Sequence, residues 1–542
     1  MHRSFALAVV LGLQAAAAGA QVVLPPTVGL PAGGSVVPGP GYDVALAALA
    51  TGDYDKALKL AEANAGSCVQ FGANRWIDSI PAAAVVGECL YETGRFREAV
   101  GRYEQSLNLA ASNSRWLLSV QFPQQPIQAI RRPRVATWGR SERNTLPMAV
   151  PERMTIRQQA PEAQEVLQKG GVLASDYDRP IRPQEIMRGL VIATYRLGSI
   201  LGELGRENAS LDAAARGLAK RPAPANHYSQ VWIDVALGTA TWAQGKADQA
   251  RPLLERGLMI GNQLDHPLTC WALIVLGRIA LDGDRPADAV KLFEEATFTA
   301  ADYGDMRALE EAFSWVWTAH HLAGTRGVPA SIRLAGEWSR GGPAALRGRL
   351  LAMEAEAAAT AGDRQTATAA LGAIDGRLLK GDAGRGTLGA VTAYARAILD
   401  YSKGDVAAGD ATLTEALTLA RGRSLPLFRI GLLVDLLRAG SQQVSERQAD
   451  GWFAAWLADP SPRDVAVDPL GSLALLSAPL EPAFDAWVAV AGSRGLEEAL
   501  AAAEATMRRR WIAARPLGGR RSALERFLVV DRQTLEAADA AR

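Results

Sequence analysis

The sequence predicts an all-α solenoid, in which helical hairpins stack side by side, and three observations lead to that prediction. Hydrophobic residues make up 49% of the chain but aromatic residues only 6%, which is typical of Ala- and Leu-rich helices. A stacked array lengthens a single core, which suits a chain of 542 residues. Short turns recur along the chain, centred on Gly52, Gly94, Gly205, Gly245, Asp284, Gly324, Gly362 and Gly404. From the third turn onward the steps are 40, 39, 40, 38 and 42 residues, so we expect about eight or more hairpins.

Each turn has the same local layout, which Val86–Val100 shows most clearly. One helix runs into Gly94 and a second helix follows. The dipeptide Gly52-Asp53 shows the chemistry of such a turn. Glycine accepts the left-handed conformation that ends the first helix, and aspartate caps the free N–H groups that begin the second. The first hairpin is therefore predicted at roughly 42–50 and 53–65.

Small and bulky residues recur at fixed places around the turns. The sets are Gly87, Ala99 and Tyr103; Gly238, Ala250 and Leu254; and Gly277, Ala289 and Phe293. These residues resemble the tetratricopeptide repeat (TPR) family, in which small residues let paired helices approach closely. The resemblance covers roughly 42–110 and 190–420, although the period near 40 exceeds the family's period of about 34 residues. It implies a right-handed, TPR-like α-solenoid and leaves the partner open, since this fold serves many functions.

The N-terminus has the layout of an export signal. Arg3 supplies a positive charge, Phe5 to Ala17 an apolar stretch, and Ala18-Gly19-Ala20 a cleavage site before Gln21. The alternative is an uncleaved anchor, but the apolar stretch is shorter than the roughly 20 residues that a spanning helix needs. We therefore expect residues 1–20 to be removed, a periplasmic or secreted protein, and no stable membrane insertion after cleavage.

Composition divides the rest of the chain into five parts. We predict a Pro/Gly-rich linker at 21–41, hairpins at 42–111, a Pro/Arg-rich insertion at 112–188, hairpins at 189–440 and a helical region at 441–542. Proline density excludes long helices from most of the insertion. Alternation predicts short strands within it, at Trp116–Phe122 and Met154–Arg157. A long insertion in a regular array is either functional or merely tolerated, and the sequence leaves both open.

One C-terminal helix is predicted with particular clarity, from Gly495 to Arg510. Its acidic start and basic end suit the helix dipole. This single helix is weakly similar to the last repeat before the caspase-like (CHAT) peptidase domain of many bacterial TPR proteins. We expect no peptidase domain within the sequence. The similarity leaves open that the chain is the regulatory half of a split peptidase.

Residues for chemistry are sparse. None of the five histidines forms an HExxH pair, and we find no GxSxG elbow, P-loop or EF-hand loop. Cys68, Cys89 and Cys270 have no metal-binding spacing, and a disulfide between the first two competes with an interpretation as small core residues. We therefore expect no catalytic residue, no metal and no cofactor. A net charge of +1 argues against a nucleic-acid partner.

Two groups of residues are candidates for partner binding. The TPR resemblance implies that the first helix of each hairpin lines a concave groove, and this selects Tyr91, Tyr195, Trp232, Trp242, Trp271, Arg278 and His321. The alternative is that these tryptophans fill the gaps between longer helices. The second group lies in the arginine-rich insertion, where an anionic polymer or a carboxylate-bearing peptide would suit Arg134, Trp138 and Arg140.

The sequence therefore favours an exported, non-catalytic TPR scaffold that binds a protein or peptide. An enzyme is the first alternative, either as half of a split peptidase or with an active site in the 112–188 insertion. A cell-envelope polymer binder is the second, and it requires exposed tryptophan in the groove.

Overall fold

The computed structural model describes residues 35–71, 74–123, 128–130, 134–158, 177–374, 378–379, 381–439 and 444–514. The predicted signal peptide and most of the predicted linker lie outside these residues. Within them the chain is an all-α solenoid, as the sequence predicts. Sixteen of the described helices form the hairpins. The first fourteen are α1 (Pro40–Thr51), α2 (Tyr54–Ser67), α3 (Ser79–Glu92), α4 (Phe96–Ser112), α5 (Pro183–Leu201), α6 (Ala209–Ala219), α7 (Ser229–Ala243), α8 (Ala247–Arg256), α9 (Thr269–Asp282), α10 (Pro286–Asp302), α11 (Met306–Leu322), α12 (Ala330–Trp338), α13 (Ala344–Thr360) and α14 (Arg364–Ala373). The last two, α16 (Thr387–Ser402) and α17 (Val406–Arg421), follow a short helix, α15 (Asp382–Arg385).

These helices pair as eight consecutive hairpins, from α1/α2 to α13/α14 and then α16/α17. Six further helices follow within the described residues: α18 (Leu425–Arg438), α19 (Glu446–Trp456), α20 (Pro462–Val467), α21 (Pro469–Leu476), α22 (Glu481–Arg494) and α23 (Leu496–Ala513). No single helix in the described ranges is long and apolar enough to cross a bilayer. The bent pair α21 and α22 meets the length and composition test only jointly.

The predicted turns lie between the paired helices. Gly52, Gly94 and Gly404 take positive φ angles of 81°, 76° and 84°, where a side chain would be strained. The Asp53 carboxylate accepts a hydrogen bond from the Lys56 N–H, as the capping argument requires. The third turn differs, because its left-handed residue is Gly202 (φ 55°) within a short 3-10 segment.

Close packing confirms the repeat register. A Cβ atom added to Gly87 would lie 2.4 Å from the Tyr103 ring. A Cβ atom added to Gly277, three hairpins further along the chain, would lie 2.5 Å from the ring of Phe293. The paired helices therefore approach so closely at these positions that glycine is required.

Short strands occupy the predicted insertion. One antiparallel sheet has the order β3 (Val120–Gln121), β6 (Met154–Gln158), β7 (Tyr177–Ile181), so the strand predicted at Met154–Arg157 is present. The strand predicted at Trp116–Phe122 is mostly wrong, because Trp116–Ser119 forms a 3-10 turn. The remaining strands are β1 (Gln70–Phe71) paired with β2 (Asn74–Arg75), and the sheet β4 (Gln128–Ala129), β5 (Leu146–Ala149), β8 (Leu264–Asp265). Parallel pairing of β5 with β8 joins the insertion to the segment between the fourth and fifth hairpins.

The array closes on itself within its first seven hairpins, and we call these hairpins the ring. Helix α1 packs against α13. A Cβ atom on Gly52 would lie 3.9 Å from the Cβ atoms of Ala345 and Ala383. The backbone N–H of Asp55 donates to the carboxylate of Asp382 at 3.1 Å.

The helices after the eighth hairpin fold back onto the ring. Arg429 of α18 donates to the carbonyl oxygens of Ser199 and Ile200 at the end of α5, at 2.5 and 2.9 Å. Arg463 of α20 donates to the carbonyl of Leu281 at the end of α9. The C-terminal helices therefore cover part of the ring, which is not the open groove that a simple TPR array would offer.

Candidate functional site at the centre of the ring

The first helices of the hairpins place eight ionic side chains at the centre of the ring, and we call this group the central cluster. Glu88 and Glu92 share one face of α3 because they are four residues apart. Arg307, Glu310 and Glu311 likewise share one face of α11, because the two glutamates lie three and four residues after the arginine. The members are Glu88, Glu92, Arg196, Arg278, Arg307, Glu310, Glu311 and Arg349, four carboxylates and four guanidinium groups.

Glu88 lies in the middle of the central cluster and is buried. Its carboxylate accepts hydrogen bonds from the Tyr103 hydroxyl at 2.6 Å, from Arg196 Nε at 2.9 Å and from Arg307 at 2.7 Å. Burial alone would raise the pKa of Glu88, but the two guanidinium groups outweigh it and the pKa lies below its ordinary value. Glu88 therefore stays ionised and joins α3 and α4 to α5 and α11.

The other carboxylates extend these links. Glu92 accepts from Arg307 at 2.7 Å and from Arg349 of α13 at 2.5 Å. Burial opposes ionisation of Glu92, but Arg349 and Arg307 lower its pKa to about 2. Glu310 differs, since burial raises its pKa in spite of Arg307. Three arginines are thus each held by at least two carboxylates, and the second, third, sixth and seventh hairpins are joined at one point.

An aromatic layer covers one side of the central cluster. Tyr195 stacks on Trp242 with ring centroids 5.5 Å apart and an interplanar angle of 14°. Its hydroxyl donates to Glu311 at 2.5 Å and accepts from Trp315 Nε1 at 3.1 Å. The guanidinium group of Arg278 lies over the Trp315 ring, 4.0 Å from its centroid, and 5.3 Å from that of Trp242. Cation–π contact therefore fixes the orientation of Arg278.

Five of the seven predicted groove residues meet in this region: Tyr91, Tyr195, Trp242, Trp271 and Arg278. Trp271 packs on Tyr195 with centroids 5.4 Å apart, and the Tyr91 ring lies 4.3 Å from the Arg196 guanidinium. However, the side chains of Tyr195, Trp242 and Trp271 are buried, as the gap-filling alternative requires. Only Tyr91 and Arg278 of the five are partly exposed.

The other two predicted groove residues lie apart from the central cluster. Trp232 is buried against Tyr228, with ring centroids 5.5 Å apart. His321 is partly exposed and contacts Trp317, with ring centroids 5.4 Å apart. The buried Trp232 ring cannot be an exposed anchor in this structure.

The insertion is anchored by the residues that the sequence proposed for partner binding. Arg134 forms ion pairs with Asp265 at 3.3 Å and Asp302 at 3.1 Å. Trp138 is buried, and its Nε1 donates to Thr297 Oγ1 at 2.9 Å. Its ring packs among three aromatic side chains of α10, α11 and α12, namely Phe298, Phe313 and Trp338. Arg134 and Trp138 are thus internal contacts, whereas Arg140 is exposed.

Sequence reasoning missed the ionic half of the centre. Glu88 interrupts an apolar run in α3, and Arg307 lies three and four residues before Glu310 and Glu311. A charged residue inside an apolar helix is a signal for a buried ion pair, because an isolated buried charge is too costly. To predict the ion pairs of Glu88, one must know which helices lie next to each other in the folded protein, and the period of the repeat does not reveal that.

A cavity lies beside the central cluster, where α1 closes the ring. Its volume is about 170 Å³, and Leu46, Val85 and Ile192 contribute to its apolar wall. Arg188 and Asp305 also line it, and their side chains are ion-paired at 3.1 Å. The cavity is an apolar space whose charged groups are already satisfied by each other.

The described residues contain neither a disulfide nor an arrangement of side chains suited to a metal ion. Cys68 and Cys89 are both free thiols, so the disulfide alternative is wrong. Burial raises the pKa of each to about 12, which keeps both thiols protonated. Within the described ranges, no group of three His, Cys, Asp or Glu side chains is arranged to hold a metal ion.

The hairpins from α7 to α10 contain two copies of the close-packed pattern, at Gly238 and Gly277. Residues 229–297 match the family model of the tetratricopeptide repeat. The matched segment spans the fourth hairpin and most of the fifth. No curated protein matches the chain. The match supports a TPR protein, and TPR domains generally bind protein partners.

Proposed function

We propose that this chain is an exported, non-catalytic TPR scaffold that binds a protein or peptide at the mouth of the central cluster. The helical hairpins and the matched repeat support the scaffold. The signal-like sequence at residues 1–20 supports export. Tyr91, Arg278 and Trp315 are partly exposed and form the surface that a partner would contact.

This assignment depends on the hydrogen bonding of Arg278, which differs from that of the other three arginines of the central cluster. Arg196, Arg307 and Arg349 are each held by carboxylates of the central cluster. Among the described residues, the Arg278 guanidinium makes one hydrogen bond, from Nη1 to the Tyr195 hydroxyl at 3.3 Å. A guanidinium has five donors in a fixed plane. Arg278 is therefore a pre-oriented cation with donors left for a carboxylate of the partner.

The alternatives draw less support from the geometry. A polymer binder would use exposed tryptophan, whereas Trp242 and Trp271 are buried. An active site in the insertion would use its arginine and aromatic side chains, whereas Arg134 and Trp138 anchor the insertion to the hairpins. A protein partner that presents a carboxylate fits the exposed residues best.

Crosslinking and pull-down from native envelope fractions tests this proposal. We expect wild type to capture a specific protein and Arg278→Ala to capture at least about tenfold less, since a charge-assisted hydrogen bond is lost. Arg216→Ala is the matched control, because Arg216 is exposed on the outer helix α6. Equal capture by both variants would refute the Arg278 surface. Turnover of a substrate, with no macromolecule captured, would refute the scaffold.

Export has a separate test. We expect N-terminal sequencing of protein from its native host to begin at Gln21, in a periplasmic or secreted fraction. An intact Met1 in the cytoplasmic fraction would contradict export and would leave the binding proposal intact.

A further inference from the structure

Large apolar side chains on the described surface are concentrated on α23, the last described helix. Leu496, Leu500, Met507 and Trp511 are 88%, 59%, 70% and 60% exposed. Their spacing of four, seven and four residues places all four on one face of the helix. Contiguous exposed apolar patches are uncommon on soluble proteins and ordinarily mark an interaction site. The apolar face of α23 is therefore a candidate interface.

The opposite face of α23 holds the helix on the protein. Ala502 and Thr506 are buried, and α23 packs against α22. Arg509 donates to the carbonyl oxygen of Leu475 at 2.6 Å. Because this face is fixed by packing against α22, the large apolar side chains lie on the opposite, exposed side of the helix.

The charges beside the apolar face indicate what fits there. Glu497 and Glu504 are exposed in the first two-thirds of the helix, and Arg508 and Arg510 are exposed near its end. The pairs that Arg508 and Arg510 form with Asp459 and Asp485 are long, at 3.8 and 3.6 Å, and these arginines are about 60% exposed. Such pairs are weak. The acidic first half of one α23 helix is therefore complementary in charge to the basic second half of another α23 helix.

We propose that the apolar face of α23 binds the same face of a second copy of this chain, with the two helices antiparallel. A two-fold axis near residue 503 places Leu496 of one copy opposite Trp511 of the other, and Leu500 opposite Met507. The same axis brings Glu497 towards Arg508 of the second copy. A parallel pair would instead place Glu497 beside Glu497 and Arg508 beside Arg508, which is unfavourable. Tryptophan and methionine are also enriched in protein interfaces. This surface is distinct from the one that contains Arg278.

Analytical ultracentrifugation of the full chain tests the proposal. We expect wild type to form a dimer and Leu500→Asp to raise the dimer dissociation constant at least tenfold, with an unchanged circular dichroism spectrum. Val406→Asp is the matched control, because Val406 is a similarly exposed apolar residue of α17 (53%). A monomeric wild type would overturn the proposal, whether residues 515–542 or a different protein covers α23. A dimer that Leu500→Asp leaves intact would overturn it as well.

Cysteine crosslinking tests the antiparallel arrangement. Ala503→Cys lies near the proposed two-fold axis, so we expect it to form an intermolecular disulfide under mild oxidation. Leu496→Cys lies about 11 Å along the helix from that axis, at 1.5 Å per residue, and should not crosslink to its own copy. The wild-type chain controls for the three native cysteines. Crosslinking at Leu496→Cys without crosslinking at Ala503→Cys would indicate a parallel pair and would overturn the arrangement.

Discussion

The replacement Glu88→Gln tests whether the central cluster stabilises the ring. It keeps the shape of the side chain but removes the charge that Arg196 and Arg307 share. Loss of one partner from a buried ion pair costs about 3–5 kcal/mol. Arg196 retains Glu311 and Arg307 retains two further carboxylates, so we expect the lower end, about 3 kcal/mol.

Urea unfolding, followed by tryptophan fluorescence, measures this loss. Trp242 and Trp315 lie beside the central cluster and contribute to this signal together with the other tryptophans of the chain. The matched control is Glu98→Gln, which removes the same charge from an exposed pair with Arg95 on the second hairpin. We expect a lower midpoint for Glu88→Gln and an unchanged midpoint for Glu98→Gln. Equal midpoints for both variants would refute the idea that the cluster holds the hairpins together.

Three further replacements test packing, anchoring and ionisation. Gly87→Ala should destabilise the protein by about 1–2 kcal/mol in urea unfolding, because its methyl group would collide with Tyr103, whereas Gly101→Ala, in open space on α4, should stabilise it by about 0.5–1 kcal/mol. Trp138→Ala should cost about 3–5 kcal/mol and expose the insertion to limited proteolysis, and unchanged cleavage would contradict its anchoring role. Burial raises the pKa of Glu356 from 4.5 to about 7. The folded protein therefore holds a proton that the unfolded chain releases between these values, so stability should fall as pH rises through this window, and Glu356→Gln should abolish that fall.

The hairpins were predictable because their causes are local. The turn at Gly52-Asp53 requires a left-handed residue followed by a cap, and both are visible in two letters of sequence. The packing of Gly87 on Tyr103 also depends on residues of a single hairpin. Such features repeat with the period of the array, and a period can be read from the sequence without knowing the partners of each helix.

The centre of the ring was predictable only in part. The TPR resemblance selected Tyr195, Trp242 and Arg278 as groove residues of first helices, but it could not show that they are packed against each other. Their burial follows from closure of the ring. Closure depends on contacts of hairpin one with hairpin seven and with α15, and no periodic signal encodes those contacts. For the same reason Trp138 could not be recognised as an anchor, since its pocket is built from α10, α11 and α12.

Closure of the ring also affects the order in which the molecule can be completed. Asp55 and Asp382 touch although they are 327 residues apart in the chain. A ribosome that adds about 5–20 residues per second needs roughly 15–65 s to make the intervening segment. During that interval the face of the first hairpin that later packs against α13 and α15 is uncovered, because those helices have not yet been made. Nascent chains that stop before the seventh hairpin should therefore bind holding chaperones through this face, and longer chains should release them.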